Sequence, residues 1–355
     1  MNRESPTTPI RKRTKLHLFF RKPRPAENNS IERLYSTMIA SLPGDRFEAH
    51  CLTCPFYSNG LLPRLLLLFW ASFHQGDINH ITGDVDFIGL FMRRSRTLLT
   101  IQDLASLNRL DGWRRWFYWL FWVRLPIQRA SYVTTGSEFT RSEIKAALGR
   151  DPLNLEVVPH CVTVPIDPRP KSIDPGQFRL LQIGTGWNKN LDRVIVAASQ
   201  LPCVLVIIGK LSAAQESLLR KYQLRFENYS AVSNEEILTY YYGADIVLFV
   251  SLYEGFGLPI LEAQAVGRPI VTSSWDPMRS VAGQGALLVD PEDVEEIREA
   301  VLAIVNNAEL QGKLVSKGLE NVKRYEPRKV ALKYATLYER IMVERDETPD
   351  MLSQP

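Results

Sequence analysis

Four cysteines (Cys51, Cys54, Cys161 and Cys203) in 355 residues are too few for a disulfide framework. A stapled, secreted miniprotein is excluded, and a reducing compartment is the default. Long apolar runs are missing too. Residues 61–73 are interrupted by Pro63 and Arg64, and residues 113–125 by Arg114, Arg115 and Arg124, so neither approaches the ~20 residues that span a bilayer. The apolar run 16–20 behind the N-terminal basic cluster is shorter than a signal-peptide core of roughly 7–15 residues. These absences predict a cytoplasmic chain with no transmembrane helix. A strong charge surplus is absent as well, since 43 Lys and Arg against 39 Asp and Glu give only +4, too little to argue for nucleic acid.

What is present is globular. A composition of 45% hydrophobic and 23% charged residues supports a large core, and the length suggests two domains. The near-neutral total divides unevenly. Residues 1–170 hold 23 basic and 15 acidic side chains, while residues 171–355 hold 20 and 24. Eight of the basic ones (Arg3, Arg11, Lys12, Arg13, Lys15, Arg21, Lys22 and Arg24) fall in the first 24 positions. A basic first half favours anionic partners such as phosphate or the surface of an anionic membrane.

Periodicity predicts alternating strands and helices, hence parallel sheets covered by helices. In the first half, strands are expected at 15–20, 98–101, 132–135 and 155–158, with helices at 31–42, 113–125 and 138–148. Prolines 159, 165, 168, 170 and 175 then interrupt the pattern, which reads as an interdomain linker. Beyond it, strands are expected at 179–183, 204–208, 226–232, 245–250 and 269–272. Helices are expected at 190–200, 212–222, 233–242, 258–266, 291–306 (opened by Pro291) and 327–343. The predicted division is a domain at 1–170, a second at 171–326, and a helix from 327 that packs back across both, followed by a disordered tail to 355. The fold class is α/β, two Rossmann-like parallel-sheet domains facing a central cleft.

The chemistry concentrates at Ser251-Leu252-Tyr253-Glu254-Gly255-Phe256-Gly257-Leu258-Pro259-Ile260-Leu261-Glu262. This loop follows a buried strand and opens a helix. Gly255 and Gly257 allow close backbone approach to a ligand, and the Gly257 and Leu258 N–H groups head a helix N-terminus suited to an anion. Glu254 and Glu262 flank that mouth, and a carboxylate accepts two hydroxyl hydrogen bonds from a sugar diol. A second loop, Gly184-Thr185-Gly186-Trp187-Asn188-Lys189-Asn190, lies between a strand and a helix. It lacks the third glycine of a dinucleotide fingerprint and has Lys189 there, which suits a diphosphate.

The EGFGLPILE motif, with the Gly-Thr-Gly-Trp-Asn-Lys-Asn loop, residues 235–245 and Leu288-Val289-Asp290-Pro291, resembles the family 4 retaining glycosyltransferases of GT-B fold (glycosyl transferase group 1). The strand end Thr100-Ile101-Gln102-Asp103-Leu104 resembles the family's Thr-His-Asp segment, with Gln102 in the histidine's place. Thr185 stands where the family often has arginine, leaving Lys189 and Arg193 for phosphate charge. The first-strand loop, Pro23 to Ser30, is not glycine-rich.

The resemblance implies transfer of a hexose from a nucleoside-diphosphate sugar to a glycan or lipid-linked hydroxyl, with retention and without metal or other cofactor. The catalytic positions it marks are Glu254, Lys189, Asp103 and Gln102. The donor-binding positions are Gly184, Thr185, Lys189, Asn190, Gly255, Phe256, Gly257, Leu258 and Glu262. Glu254 would position the hexose and Glu262 the ribose. The run Lys189–Arg193 resembles bacterial polysaccharide mannosyltransferases, which implies a GDP- or UDP-sugar donor with a lean to GDP-mannose, and a role in bacterial surface polysaccharide synthesis. Two other readings stay open: a catalytically weak sugar-nucleotide-binding or scaffold protein, motivated by Gln102 and Thr185, and an NAD oxidoreductase, disfavoured by the missing glycine.

Other features are weaker. Cys51-x-x-Cys54 is a lone pair without histidine at zinc spacing. His80, Asp84 and Asp86 read as loop residues, one possible face of an acceptor site, and His160 as a structural histidine at the domain junction. Residues 113–122 hold four of the seven tryptophans, apolar all round the helix, which reads either as a buried helix or as a membrane-facing one.

Overall fold

The computed structural model describes residues 13–23 and 30–347, the side chain of Asn234 excepted. Arg3, Arg11, Lys12 and Arg24 of the basic tail, residues 24–29 of the first-strand loop and the tail from residue 348 lie outside the described residues. Two six-stranded sheets organise the rest. The first comprises β1 (Thr14–Phe20), β2 (Phe47–Thr53), β3 (Ile78–Ile81), β4 (Thr97–Ile101), β5 (Tyr132–Thr135) and β6 (Leu155–Val157), in the order β2-β1-β3-β4-β5-β6. The second comprises β7 (Phe178–Ile183), β8 (Cys203–Ile208), β9 (Phe226–Tyr229), β10 (Ile246–Phe249), β11 (Ile270–Ser273) and β12 (Leu287–Val289), in the order β12-β11-β10-β7-β8-β9.

Every strand pair is parallel. The central strands are therefore buried on both faces and read as continuous apolar runs; all five residues of β4 and all four of β10 are buried. Residues 158–177 form neither helix nor strand, because the prolines there supply no N–H and fix φ. The Pro327–Glu347 helix returns to the first sheet. Its Val330, Tyr334, Tyr338 and Ile341 pack with Leu16, Leu18, Phe20 and Tyr35.

Several expectations are corrected. β2, β3 and the Leu61–Phe73 helix were absent from the periodicity. β2 is an edge strand with mixed exposure, and β3 buries Asn79 and His80 among its four residues. His80 is no loop residue: its ring bonds the Tyr338 hydroxyl at 2.8 Å and Thr100 Oγ1 at 2.7 Å, and burial pushes it down to about 3, so it is neutral. In the Leu61–Phe73 helix Pro63 sits in the first turn, where no N–H donor is needed. Pro291 does not open the next helix: Asp293 caps Val294–Val305, accepting from Glu295 and Glu296 N–H.

The tryptophan segment is neither wholly buried nor wholly exposed. It runs as α-helix over Gly112–Tyr118 and as a π turn over Trp119–Arg124, which ends two residues short of Pro126, a residue with no N–H to continue the ladder. Trp113 and Trp116 are exposed, while Trp122 is buried. All four cysteines are free, Cys51 exposed on β2 and Cys54 buried.

The Leu258–Ala265 helix that opens at the motif is clamped from behind. Gln264 Nε2 donates to the Ala282 carbonyl at 2.9 Å, and Asn321 Nδ2 donates to Gln264 Oε1 at 2.9 Å. Beside this network a Cβ on Gly285 would lie 2.4 Å from Gly318 Cα, a backbone atom that cannot swing aside. Gly285→Ala is therefore expected to destabilise the protein by about 1–3 kcal/mol in denaturant titration, as overpacking does; an unchanged midpoint would contradict the close packing.

Candidate active site

Strand order determines where the loops meet. β7 and β10 are neighbours, yet their connections leave in opposite directions along the sheet, which makes their carboxyl ends a topological switch point. The loop after β7 carries Gly184 and Lys189; the loop after β10 carries Glu254 to Leu258. These loops face the carboxyl end of β4 across a cleft of about 700 Å³, whose lining includes Gln102, Asp103 and His160 from the first half.

Lys189 Nζ lies 2.6 Å from Glu254 Oε1, with side chains only 22% and 14% exposed. Asn188 Nδ2 steadies the same carboxylate at 3.2 Å and bonds the Tyr253 carbonyl at 2.9 Å. Gly184 is in the left-handed region (φ 88°), and a Cβ there would meet the Lys189 side chain at 2.8 Å. Glycine at 184 thus leaves the room in which the lysine lies. Gly257, at φ 115°, turns the chain into the Leu258–Ala265 helix, whose first N–H groups have no intrahelical acceptor. A cation, a carboxylate and a positive helix end therefore share one corner.

Glu262 is buried at 2% exposure and is held by three donors. Arg33 Nη2 and Thr163 Oγ1 (2.6 Å) bond Oε1, and the Tyr241 hydroxyl bonds Oε2 at 2.6 Å. The carboxylate in turn raises the tyrosine's pKa further above its ordinary value, after burial has done most of the work. These three partners come from the Ser30–Ala40 helix, the connector and the Asn234–Gly243 helix.

The rest of the cleft is built by contact between the halves. The Ser137 hydroxyl donates to the Gly255 carbonyl at 2.7 Å, and the Tyr253 hydroxyl donates to Glu143 Oε2 at 2.7 Å while accepting from Leu104 N–H at 3.2 Å. Asp103 is pushed up to about 6, chiefly by burial, with the neighbouring carboxylates Asp84, Glu254 and Glu143 adding to it against an opposing Ala105 N–H bond. His160 packs on Phe256 at 4.8 Å between ring centres, and burial pushes it down to about 4.

Of the expected site residues, Glu254, Lys189, Asp103, Gln102, Gly184, Gly255, Phe256, Gly257, Leu258 and Glu262 all line the cleft. Thr185 and Asn190 do not. Thr185 Oγ1 bonds the Lys210 carbonyl at 2.6 Å, and buried Asn190 bonds the carbonyls of Val250 (3.0 Å) and Pro291 (2.6 Å), positioning the loop instead of facing it. Arg193 is likewise turned away, onto Glu292 at 3.2 Å. Gln102 Nε2 is committed to the Thr82 carbonyl at 2.6 Å. Arg33, Thr163 and Tyr241 escaped sequence reasoning, since nothing in their local patterns marks a partner carboxylate. Among the described residues no three His, Cys, Asp or Glu side chains are placed to hold a metal ion.

Gly255 is small for a reason other than ligand approach: a Cβ there would lie 2.2 Å from the Gln102 carbonyl oxygen. Gly255→Ala should force the halves apart, seen in solution scattering as an increased radius of gyration; an unchanged value would contradict the contact.

Residues 165–320 match the family model of glycosyl transferases group 1. The chain is 34% identical over 94 residues to O-antigen chain mannosyltransferase B of Escherichia coli, covering 26% of this chain and 25% of that one. It is 28% identical over 198 residues to the MMP alpha-(1->4)-mannosyltransferase of Mycolicibacterium hassiacum, covering 52% and 47%. These matches thus span less than half the length of either curated relative. Among solved structures, sucrose-phosphate synthase from Thermosynechococcus elongatus superimposes with a TM-score of 0.72 at 17% identity, over 94% of this chain and 100% of that one. Anabaena HepE in complex with UDP-glucose gives 0.71 at 14% identity, over 92% and 100%. The shared architecture is the GT-B fold.

Proposed function

We propose, from the premise that residues 165–320 of this chain belong to the glycosyl transferases group 1 family, that the protein moves a hexose from a nucleoside-diphosphate sugar to an acceptor hydroxyl. The observation that carries this reading is the corner where Lys189, Glu254 and the N-terminus of the Leu258–Ala265 helix meet. A diphosphate needs cationic and N–H partners, and a hexose needs a carboxylate within reach of its hydroxyls; that corner supplies both.

In this reading the donor's phosphates take Lys189 from Glu254, freeing the carboxylate for the sugar. The bond from the anomeric carbon to the phosphate oxygen breaks, and its electron pair leaves with the diphosphate. The acceptor oxygen bonds the anomeric carbon on the same face, and its proton passes to the departing phosphate oxygen. Lys189 and the Gly257 and Leu258 N–H groups stabilise the charge that develops, which is electrostatic preorganisation. With those groups carrying the phosphate charge, the transfer proceeds with retention and without a metal. Glu262 contacts the ribose hydroxyls, which then join or replace its present donors.

The two halves act as domains, residues 1–170 for the acceptor and 171–326 for the donor, with the terminal helix bracing the first. The acceptor is a glycan or lipid-linked hydroxyl in bacterial surface polysaccharide synthesis, met at the inner face of a membrane by peripheral contact. The mannosyltransferase names among the relatives favour GDP-mannose, and the UDP-glucose complex of a fold neighbour keeps a UDP-sugar as the second choice.

A thermal-shift panel of UDP, GDP and ADP with their sugars tests the donor, the expected result being stabilisation by one nucleoside diphosphate and its sugar. Lys189→Ala should weaken that nucleotide ten- to hundredfold, the loss of a charged hydrogen bond worth about 1.5–3 kcal/mol. Glu254→Gln should instead lower kcat, by about 100-fold, with KM little changed. Chelation with EDTA should leave the rate unaltered, and a rate abolished by EDTA would refute the metal-free reading. Donor binding with no turnover on any acceptor would favour the non-catalytic alternative.

Asp103 gives a pH signature. Its carboxyl is raised to about 6, so it is ionised above and protonated below that pH. If its ionised form orients the acceptor hydroxyl, kcat/KM should rise through pH ~6, and Asp103→Asn should flatten that limb.

A further inference from the structure

Away from the cleft, the Leu61–Phe73 helix has thirteen residues, of which only Arg64 is charged. Leu67, Leu68 and Ala71 bury one side of it in the first half. Its other side presents Leu61, Leu65, Phe69 and Phe73 at a spacing of four, with Leu62 and Leu66 beside them. All six are exposed, Leu61 by 71% and Phe73 by 83%. Arg64 does not break this stripe, because its guanidinium turns inward over the Trp122 ring at 4.7 Å and its Nε bonds the Ser58 carbonyl at 2.9 Å. The stripe continues onto exposed Phe91, whose ring lies 5.5 Å from that of Phe69. A contiguous apolar patch of this kind is costly in water and marks a surface meant to be covered.

Basic residues adjoin the patch at its Phe91 end. Arg93 and Arg94 follow Phe91, and Arg94 lines a second cavity of about 970 Å³ together with Arg124, Arg150, Trp119 and the fully exposed Leu153. The one carboxylate in that lining, Asp151, is already bonded by Arg141 at 3.0 Å. Among the described residues none of Arg94, Arg124 and Arg150 is paired with a carboxylate; Arg124 rests over the Trp119 ring at 5.1 Å.

We infer that this surface docks on an anionic lipid bilayer, with the Leu61–Phe73 helix lying along the interface and Arg94, Arg124 and Arg150 receiving phospholipid headgroups. The helix is about 20 Å long and cannot cross a hydrocarbon core of about 30 Å. It has the apolar face and cationic margin of a helix that lies in the headgroup region. A second copy of the chain fits the patch poorly, because a two-fold contact would bring the same arginine border against itself. The inference rests on the peripheral-contact reading above and names its surface. It shifts the membrane-facing element from the tryptophan segment, whose Trp122 is buried, to the Leu61–Phe73 helix.

The test is co-sedimentation of the full chain with vesicles of equal parts phosphatidylglycerol and phosphatidylcholine. The wild type should bind at low salt, release at high salt, and ignore pure phosphatidylcholine. Leu65→Glu with Phe69→Glu should weaken binding about tenfold or more, and Arg94→Glu with Arg124→Glu should do likewise, both variants keeping the wild-type melting temperature and nucleotide binding. Free inorganic phosphate should not compete. If the wild type binds and both variants bind as tightly, the surface assignment falls while peripheral contact stands. If the wild type fails to bind at low salt, peripheral contact itself falls. A dimer that dissociates in the leucine and phenylalanine variant would show that a second copy covers the patch, and would overturn the inference.

Discussion

One buried carboxylate holds the cleft together. Glu262 receives Arg33 from the first half, Thr163 from the connector and Tyr241 from the second half, at 2% exposure. A carboxylate so far from water must be paired, and removing one partner of a buried pair costs about 3–5 kcal/mol because a lone charge remains. The interaction therefore fixes how the two halves meet before any ligand arrives. The same geometry places the carboxylate at the cleft lining, where the proposed donor's ribose would engage a group that already anchors the architecture.

From that anchor the remaining parts follow from topology. The order of the second sheet brings the loops after β7 and β10 side by side, so that residues 65 positions apart, Lys189 and Glu254, form an ion pair at 2.6 Å. Gly184 leaves room for the lysine stem and Gly257 turns the chain into the helix, while Gly255 lets the Gln102 backbone of the other half come within contact. Three glycines around one cleft thus answer three different steric demands. Asn190 and Thr185 serve the same corner from behind, holding the loop by bonds to backbone carbonyls.

Much of the framework was legible because parallel strands and amphipathic helices carry strong periods. Tyr132–Thr135 and Glu138–Leu148 agree with expectation to the residue, and the helix expected from 233 opens on a capping box of Ser233 and Glu236. The Glu254 to Glu262 loop was legible because two glycines, a proline and two acids rarely coincide at an ordinary helix start. What failed was non-local. β3 hides a His and an Asn that only the Tyr338 and Thr100 hydroxyls, and the Gln75 and Gly76 region, make tolerable in a core. Arg33 lies 229 residues from Glu262, and no local spacing announces such a pair. The exposed stripe of Leu61–Phe73 was visible as apolar sequence, but its solvent-facing side depends on tertiary packing.

The central claim is that the diphosphate of a nucleotide sugar occupies the corner now held by the Lys189 and Glu254 pair. A crystal structure with the tightest-binding nucleoside diphosphate tests it most directly. The account predicts phosphate oxygens within hydrogen-bond distance of Lys189 Nζ and of the Gly257 and Leu258 N–H groups, with Lys189 drawn away from Glu254. A diphosphate bound elsewhere, with that ion pair intact, would contradict it.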